Sequence, residues 1–193
     1  MRMLGVIFIV AFCVIQFPAA ADEVLIGCES SRNSDILACL EKKRVLADKA
    51  LNYEYKSAMA RLNGENQIDL RNVQRKWIHF RDKFCLSVRK ENGMGAEAGL
   101  EYSRCLYRIT LDRKLEVQQL ASVLSDEKFY SSIIALGRIG IERAQLIEKL
   151  AALDNDVIEW REYVAAHCDF MSALSGENAK ACNARLNFNR SYQ

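Results

Sequence analysis

Between residues 36 and 62 the apolar positions Leu37, Leu40, Ala47, Leu51, Tyr55, Ala58 and Leu62 recur at spacings of three, four or seven. On a helix of 3.6 residues per turn those spacings fall on one face. Asn33 or Ser34 stands where an N-cap is expected, and Asn63-Gly64 supplies a stop. A second stripe, Leu70, Val73, Trp77, Phe80 and Phe84, runs to about Asn92-Gly93. A third helix starts near Glu97, passes through Leu100, Cys105, Leu106 and Ile109, and continues to Leu124. Short connections between long amphipathic helices predict antiparallel neighbours, and so a bundle. No stretch alternates with period two between turn signals, which argues against a sheet.

The rest of the chain repeats the pattern more weakly. Residues 129–152 keep a helical period but contain Gly137 and Gly140. Each glycine costs about 1 kcal/mol against alanine inside a helix, so the pair marks a kink or a close helix contact. A further helix is predicted over 154–170, a turn at Ser175-Gly176, and a last helix to about Asn189.

The N-terminus changes the picture from a helical chain to an exported one. Arg2 precedes an apolar run from Leu4 to Phe17, Pro18 breaks it, and Ala19-Ala20-Ala21 offers small residues for cleavage. The run is shorter than the roughly 20 residues that span a bilayer, so residues 1–21 read as a cleaved signal peptide and the mature chain is expected to be periplasmic or secreted. Cleavage removes Cys13 and leaves Cys28, Cys39, Cys85, Cys105, Cys168 and Cys182. An even number of cysteines in an exported chain predicts disulfides. Leu25-Ile26-Gly27-Cys28 has the local form of a lipid-attachment site, the alternative that would hold the protein at a membrane. Asp22 and Glu23 would then sit in the apolar stretch, and five cysteines would leave one unpaired.

The cysteines also sit in an internal echo. Trp77, Phe80, Phe84 and Cys85 share their offsets with Trp160, Tyr163, His167 and Cys168. Cys105, Arg108 and Arg113 likewise match Cys182, Arg185 and Arg190. Each unit reads as an aromatic-faced helix ending in a cysteine, a loop, and a helix that starts with a cysteine. The symmetry predicts Cys85–Cys105 and Cys168–Cys182, leaving Cys28–Cys39. The fold class is therefore all-α, an antiparallel bundle of helical hairpins stapled by disulfides.

Charge and chemistry exclude several functions. Without Arg2 the mature chain has 26 basic residues (27 − 1) against 25 acidic ones, so no basic face for nucleic acid is implied. There is no C-x-x-C and His79 and His167 lie far apart, so neither a zinc site nor any other cofactor is expected. Gly93-x-Gly95-x-x-x-Gly99 follows a helix rather than a strand and is not a dinucleotide loop. His79 points away from the aromatic stripe, and His167 reads as a packed core histidine. No nucleophile–base pair or paired carboxylates stand out, so an enzyme is not expected.

One stretch resembles a known family. Gln74-Arg75-Lys76-Trp77-Ile78-His79-Phe80-Arg81-Asp82-Lys83-Phe84-Cys85 resembles the "QR-x-W-x-x-[YF]-RD-x-x-C" signature of the lysozyme inhibitor LprI family. Asp48, Leu51, Asn52 and Tyr55 are similar to its "AD-x-x-LN-x-x-Y" segment, Cys28 and Cys39 to its leading cysteines, and Cys105-Leu106 with Thr110 and Arg113 to its closing motif. The resemblance covers about residues 28–120. It implies an exported helical domain, bounded here at 22–124, and in some members inhibition of lysozyme; the helical region over 125–193 falls outside the resemblance except through the echo, which reads it as a diverged repeat. By helical spacing Trp77, Phe80 and Phe84 are core, while Arg81 borders the buried face, where Asp48 is placed to pair with it and fix register.

Inhibition by binding needs a segment that enters a cleft holding two catalytic carboxylates. Lys90 to Glu97 is the most exposed irregular segment in the sequence, with Lys90, Glu91, Asn92 and Met94 as candidate contacts. A disulfide-tied hairpin would pre-organise it. The expected partner is lysozyme or another cell-wall hydrolase. The alternative is a periplasmic interaction or structural module without inhibitory activity, because common lysozymes are basic and this mature chain is not acidic.

Overall fold

The computed structural model describes residues 27–93, 95–120, 127–153 and 157–191. The signal peptide assigned to residues 1–21 therefore lies outside the described residues, as does Met94. Among those described there are seven helices and no strand: α1 (Asn33–Arg61), α2 (Gly64–Glu91), α3 (Ala96–Gln119), α4 (Glu127–Arg138), α5 (Arg143–Ala151), α6 (Ile158–Ser175) and α7 (Ala179–Ser191).

Several boundaries differ from those read off the pattern. Arg32, not Asn33 or Ser34, occupies the N-cap of α1, without a side-chain cap. Asp35 in the first turn binds Arg32 and Ser30 instead. Asn63 does not merely end α1; its side chain accepts from Asn66 N at 3.0 Å and so caps α2, which starts at Gly64 itself. The helix over residues 129–152 is two helices. Gly140 has φ +89° and turns the chain between α4 and α5, whereas Gly137 stays helical.

Leu40 near the start of α1 packs with Leu100 near the start of α3, so these two helices run parallel, with α2 antiparallel between them in sequence. α1 lies closest to α3, not to its sequence neighbour α2. α2 packs against both α3 and α6. One core runs through all of this: Leu51 and Ala58 of α1, Val73, Trp77 and Phe80 of α2, Ile109 and Val117 of α3, Trp160 and Tyr163 of α6, and Leu186 of α7. A smaller cluster, Phe129, Ile133, Ala184 and Phe188, joins α4 to α7.

Three disulfides staple the helices: Cys28–Cys39, Cys85–Cys105 and Cys168–Cys182, with Cα–Cα distances of 5.6, 5.5 and 5.6 Å. They are the pairs that the echo predicts. The second joins α2 to α3 and the third joins α6 to α7, so each closes a helical hairpin.

Candidate functional site

The motif residues are spread over α1, α2 and α3, and several of them are buried where these helices pack. Leu51, Trp77 and Cys85 are buried. Arg81 spreads over the Trp77 ring, 5.0 Å from its centroid, and binds Asp82 at 2.8 Å. Its contact with Asp48 of α1 is longer, 3.9 Å. Asp48 in turn accepts from the Asn52 amide at 3.2 Å. The Asp48–Arg81 pair expected from spacing is thus present, but Asp82 is the closer partner. Tyr55 is half-buried, and burial raises its pKa. Phe84, placed in the core by spacing, is only partly buried at the core's edge.

Gln74 leads to a feature that helical periodicity alone misses. Its side-chain oxygen accepts from Arg113 Nε at 3.0 Å. Arg113 is 0% exposed. Its Nη1 donates to Glu116 and to the Tyr163 hydroxyl, both at 3.0 Å, and lies 3.3 Å from His167 Nδ1. The Tyr163 hydroxyl donates to Glu116 in turn. Burial works against the Arg113 charge, but Tyr163 and Glu116 beside it outweigh that and hold its pKa above the ordinary guanidinium value. His167 is enclosed as expected, and burial first, then Arg113 and Arg185, push its pKa well below 6.5. The sequence signal was present in Arg113's place in both the motif and the echo. Nothing local marked an arginine as core.

The contacts across the seam between α2–α3 and α6–α7 are reciprocal. Phe80 and Tyr163, at the same offset in the echo, stack with centroids 6.3 Å apart and planes at 8°. Lys76 pairs with Glu162 at 3.5 Å, and His79 with Glu159 at 3.9 Å; the second pair is the first with the two units exchanged. Arg113 covers Tyr163 and His167, while its counterpart Arg190 lies over Phe80 and Phe84, 5.6 and 5.0 Å from their centroids. These exchanges describe an approximate two-fold relation between the hairpins. It is imperfect for a chemical reason: Phe80 has no hydroxyl to accept from Arg190. Arg190 makes cation–π contacts instead, and burial lowers its pKa to about 10.

The mouth of the α2–α3 hairpin is the exposed end. Lys90 and Glu91 complete α2 rather than opening the loop, so the irregular segment is shorter than the sequence suggested. Asn92 follows as the C-cap, its amide donating to Val88 O at 2.8 Å, and Gly93 turns the chain with φ +77°. Lys90, Glu91 and Asn92 are exposed. Cys85–Cys105 and the Arg89 guanidinium over Tyr102, 5.6 Å from its centroid, tie the mouth from behind. Among the described residues no group of three or more His, Cys, Asp or Glu is arranged to hold a metal, and no helix is long and apolar enough to cross a membrane.

The fold and the motif together define a disulfide-stapled, all-helical domain with a buried signature and an exposed hairpin mouth. Residues 28–117, just under half of the chain, match the family described as Lysozyme inhibitor LprI, in agreement with the resemblance carried by the motif. No curated protein and no solved structure matches the chain.

Proposed function

We propose that the protein is an exported inhibitor that binds lysozyme or a related cell-wall hydrolase through its LprI-like domain, without catalysis of its own. The match of residues 28–117 to a family of lysozyme inhibitors carries the reading. Three disulfides fit an oxidising compartment outside the cytoplasm. The contact would be made by the α2–α3 mouth, with Lys90, Glu91, Asn92 and Met94 entering the cleft and Lys90 facing its carboxylates. The disulfide behind the mouth limits the ordering entropy lost on binding. A second reading, an interaction module without inhibition, is favoured by the near-neutral mature charge, which gives little electrostatic steering toward a basic enzyme.

The test is clearing of a cell-wall suspension by several lysozyme types, with and without the oxidised mature protein. Inhibition is expected, with a loss of about tenfold in potency for Lys90→Glu combined with Asn92→Ala. No slowing of any lysozyme at a large molar excess leaves the interaction module. Clearing by the protein alone would make it an enzyme.

A further inference from the structure

The outer face of α1 carries charge of one sign. Leu40, Ala47, Leu51 and Ala58 are the buried positions of this helix. On the opposite side Lys42, Leu46, Lys49, Tyr53 and Lys56 are all exposed. The three lysines stand seven residues apart. Each step drifts only about 20° round the helix and rises about 10 Å along it, so they form one line. None of the three makes an ion pair or a side-chain hydrogen bond among the described residues. The carboxylates nearest the line, Asp35 and Glu41, are engaged by Arg32 and Arg44. Asp48 turns aside to Asn52 and Arg81, and Glu54 lies roughly 140° round the helix from Lys49, toward the core side.

Apolar groups sit between the lysines. Tyr53 is 72% exposed and Leu46 56%, with Val45 exposed beside them. A tyrosine joins an apolar ring to a polar tip, and a lysine carries its charge beyond an apolar stem. Both side chains suit a boundary between water and lipid. The helix is uninterrupted over 29 residues, about 43 Å at 1.5 Å per residue. Its outer side is a convex ridge, a shape that meets a flat surface along its length and enters no cleft.

We propose that this face of α1 rests on an anionic phospholipid surface. Lys42, Lys49 and Lys56 would meet the headgroups, with Leu46 and Tyr53 at the boundary with the acyl chains. The contact is peripheral, since no helix among the described residues is long and apolar enough to span a membrane. Charge complementarity sets the sign of the occupant: a basic protein would be repelled here, so the proposal does not depend on lysozyme inhibition. The exposed Leu46 and Tyr53 select a lipid surface over a soluble polyanion, which would reward the lysines alone.

The test uses the full oxidised mature chain and vesicles of phosphatidylcholine, either alone or with about one-third phosphatidylglycerol. Cosedimentation with the anionic vesicles is expected, at least about tenfold stronger than with the neutral ones. Lys42→Glu, Lys49→Glu and Lys56→Glu together should weaken it at least about tenfold with an unchanged circular dichroism spectrum. The same reversals at Lys83, Arg138 and Lys149, which are exposed on other helices, should cost less than about threefold. Leu46→Ser combined with Tyr53→Ser should weaken binding with no change of charge. Tyr53→Trp should add emission that shifts to the blue on anionic vesicles, above the background of the buried Trp77 and Trp160. Absence of cosedimentation, equal binding to both vesicles, equal loss in the two triple variants, or binding untouched by the loss of Leu46 and Tyr53 overturns the proposal. So does binding to dextran sulfate without a blue shift of Tyr53→Trp on vesicles, which would give the face to a soluble polyanion.

Discussion

Arg113 Nη1 lies 3.3 Å from His167 Nδ1, and both side chains are enclosed where α3 meets α6. Burial first, then the Arg113 and Arg185 charges, favour the neutral imidazole at His167. Gln74, Glu116 and Tyr163 complete the first set of neighbours around Arg113, and Arg185 adds positive charge from α7. A proton on His167 would place a second cation against Arg113 in a site without water-like screening.

The acid stability of the fold should follow from that contact. The folded pKa of His167 lies below its ordinary 6.5, so the unfolded chain takes the proton first as pH falls. The stabilisation is complete above about pH 6.5. It is lost as pH falls from there toward the folded pKa, at up to about 1.4 kcal/mol per pH unit. His167→Phe, which copies Phe84 of the first hairpin, should remove this part of the slope. Urea midpoints between pH 4.5 and 7.5 measure it; equal slopes for the two proteins would dismiss His167 as the source.

Arg113→Ala should be among the most damaging single changes. It strips the cation from a partly buried carboxylate, Glu116, and from Tyr163, whose pKa is already raised by burial. Breaking one side of such a pair costs about 3–5 kcal/mol. Arg113→Lys keeps the charge but not the fork that reaches Gln74 and Glu116 together, and should fall between. Denaturant unfolding measures both, and a loss under about 1 kcal/mol for Arg113→Ala would deny the network its role in the seam.

The disulfides make a prediction about thiols and one about stability. The oxidised mature protein should show no free thiol under denaturing conditions. One free thiol, with a lipid on Cys28, would revive the lipoprotein alternative, since Cys39 would lose its partner. Replacing Cys168 and Cys182 by alanine opens a loop with a separation of 14 residues and should cost about 3 kcal/mol by the loop-entropy relation. The 20-residue separation of Cys85–Cys105 adds only a few tenths of a kcal/mol on that basis.

Two glycines three residues apart should respond with opposite sign. Gly137 is helical in α4 and a Cβ there meets nothing within 4 Å, so Gly137→Ala should stabilise by about 0.4–1 kcal/mol. Gly140 has equal space but φ +89°, so Gly140→Ala should destabilise by about 1–2 kcal/mol. Thermal melts of the two variants read the difference directly.

The helices, their apolar faces and the hairpin disulfides were legible in the sequence because each is a local or symmetric signal. A stripe such as Leu70, Val73, Trp77 and Phe80 needs only the 3.6-residue period to declare its face, and all four are buried. The Cys85 and Cys105 positions needed only the same offsets found again at Cys168 and Cys182. Boundaries fared less well where two signals overlapped. Asn63 reads equally as the end of one helix or the cap of the next, and only the Asn66 N–H that it accepts from decides between them.

The seam lay beyond what the sequence alone determined. Composition and period establish an all-helical chain with six cysteines available to pair, and they identify the LprI-like signature over the first half. They do not say which faces of two amphipathic hairpins meet, because an aromatic stripe is equally apolar toward any partner. Tertiary structure set Phe80 against Tyr163 and enclosed Arg113 between Gln74, Glu116 and His167. The physical reason is that burial of a charge depends on the sum of partners converging from separate helices, and no window of consecutive residues contains that sum.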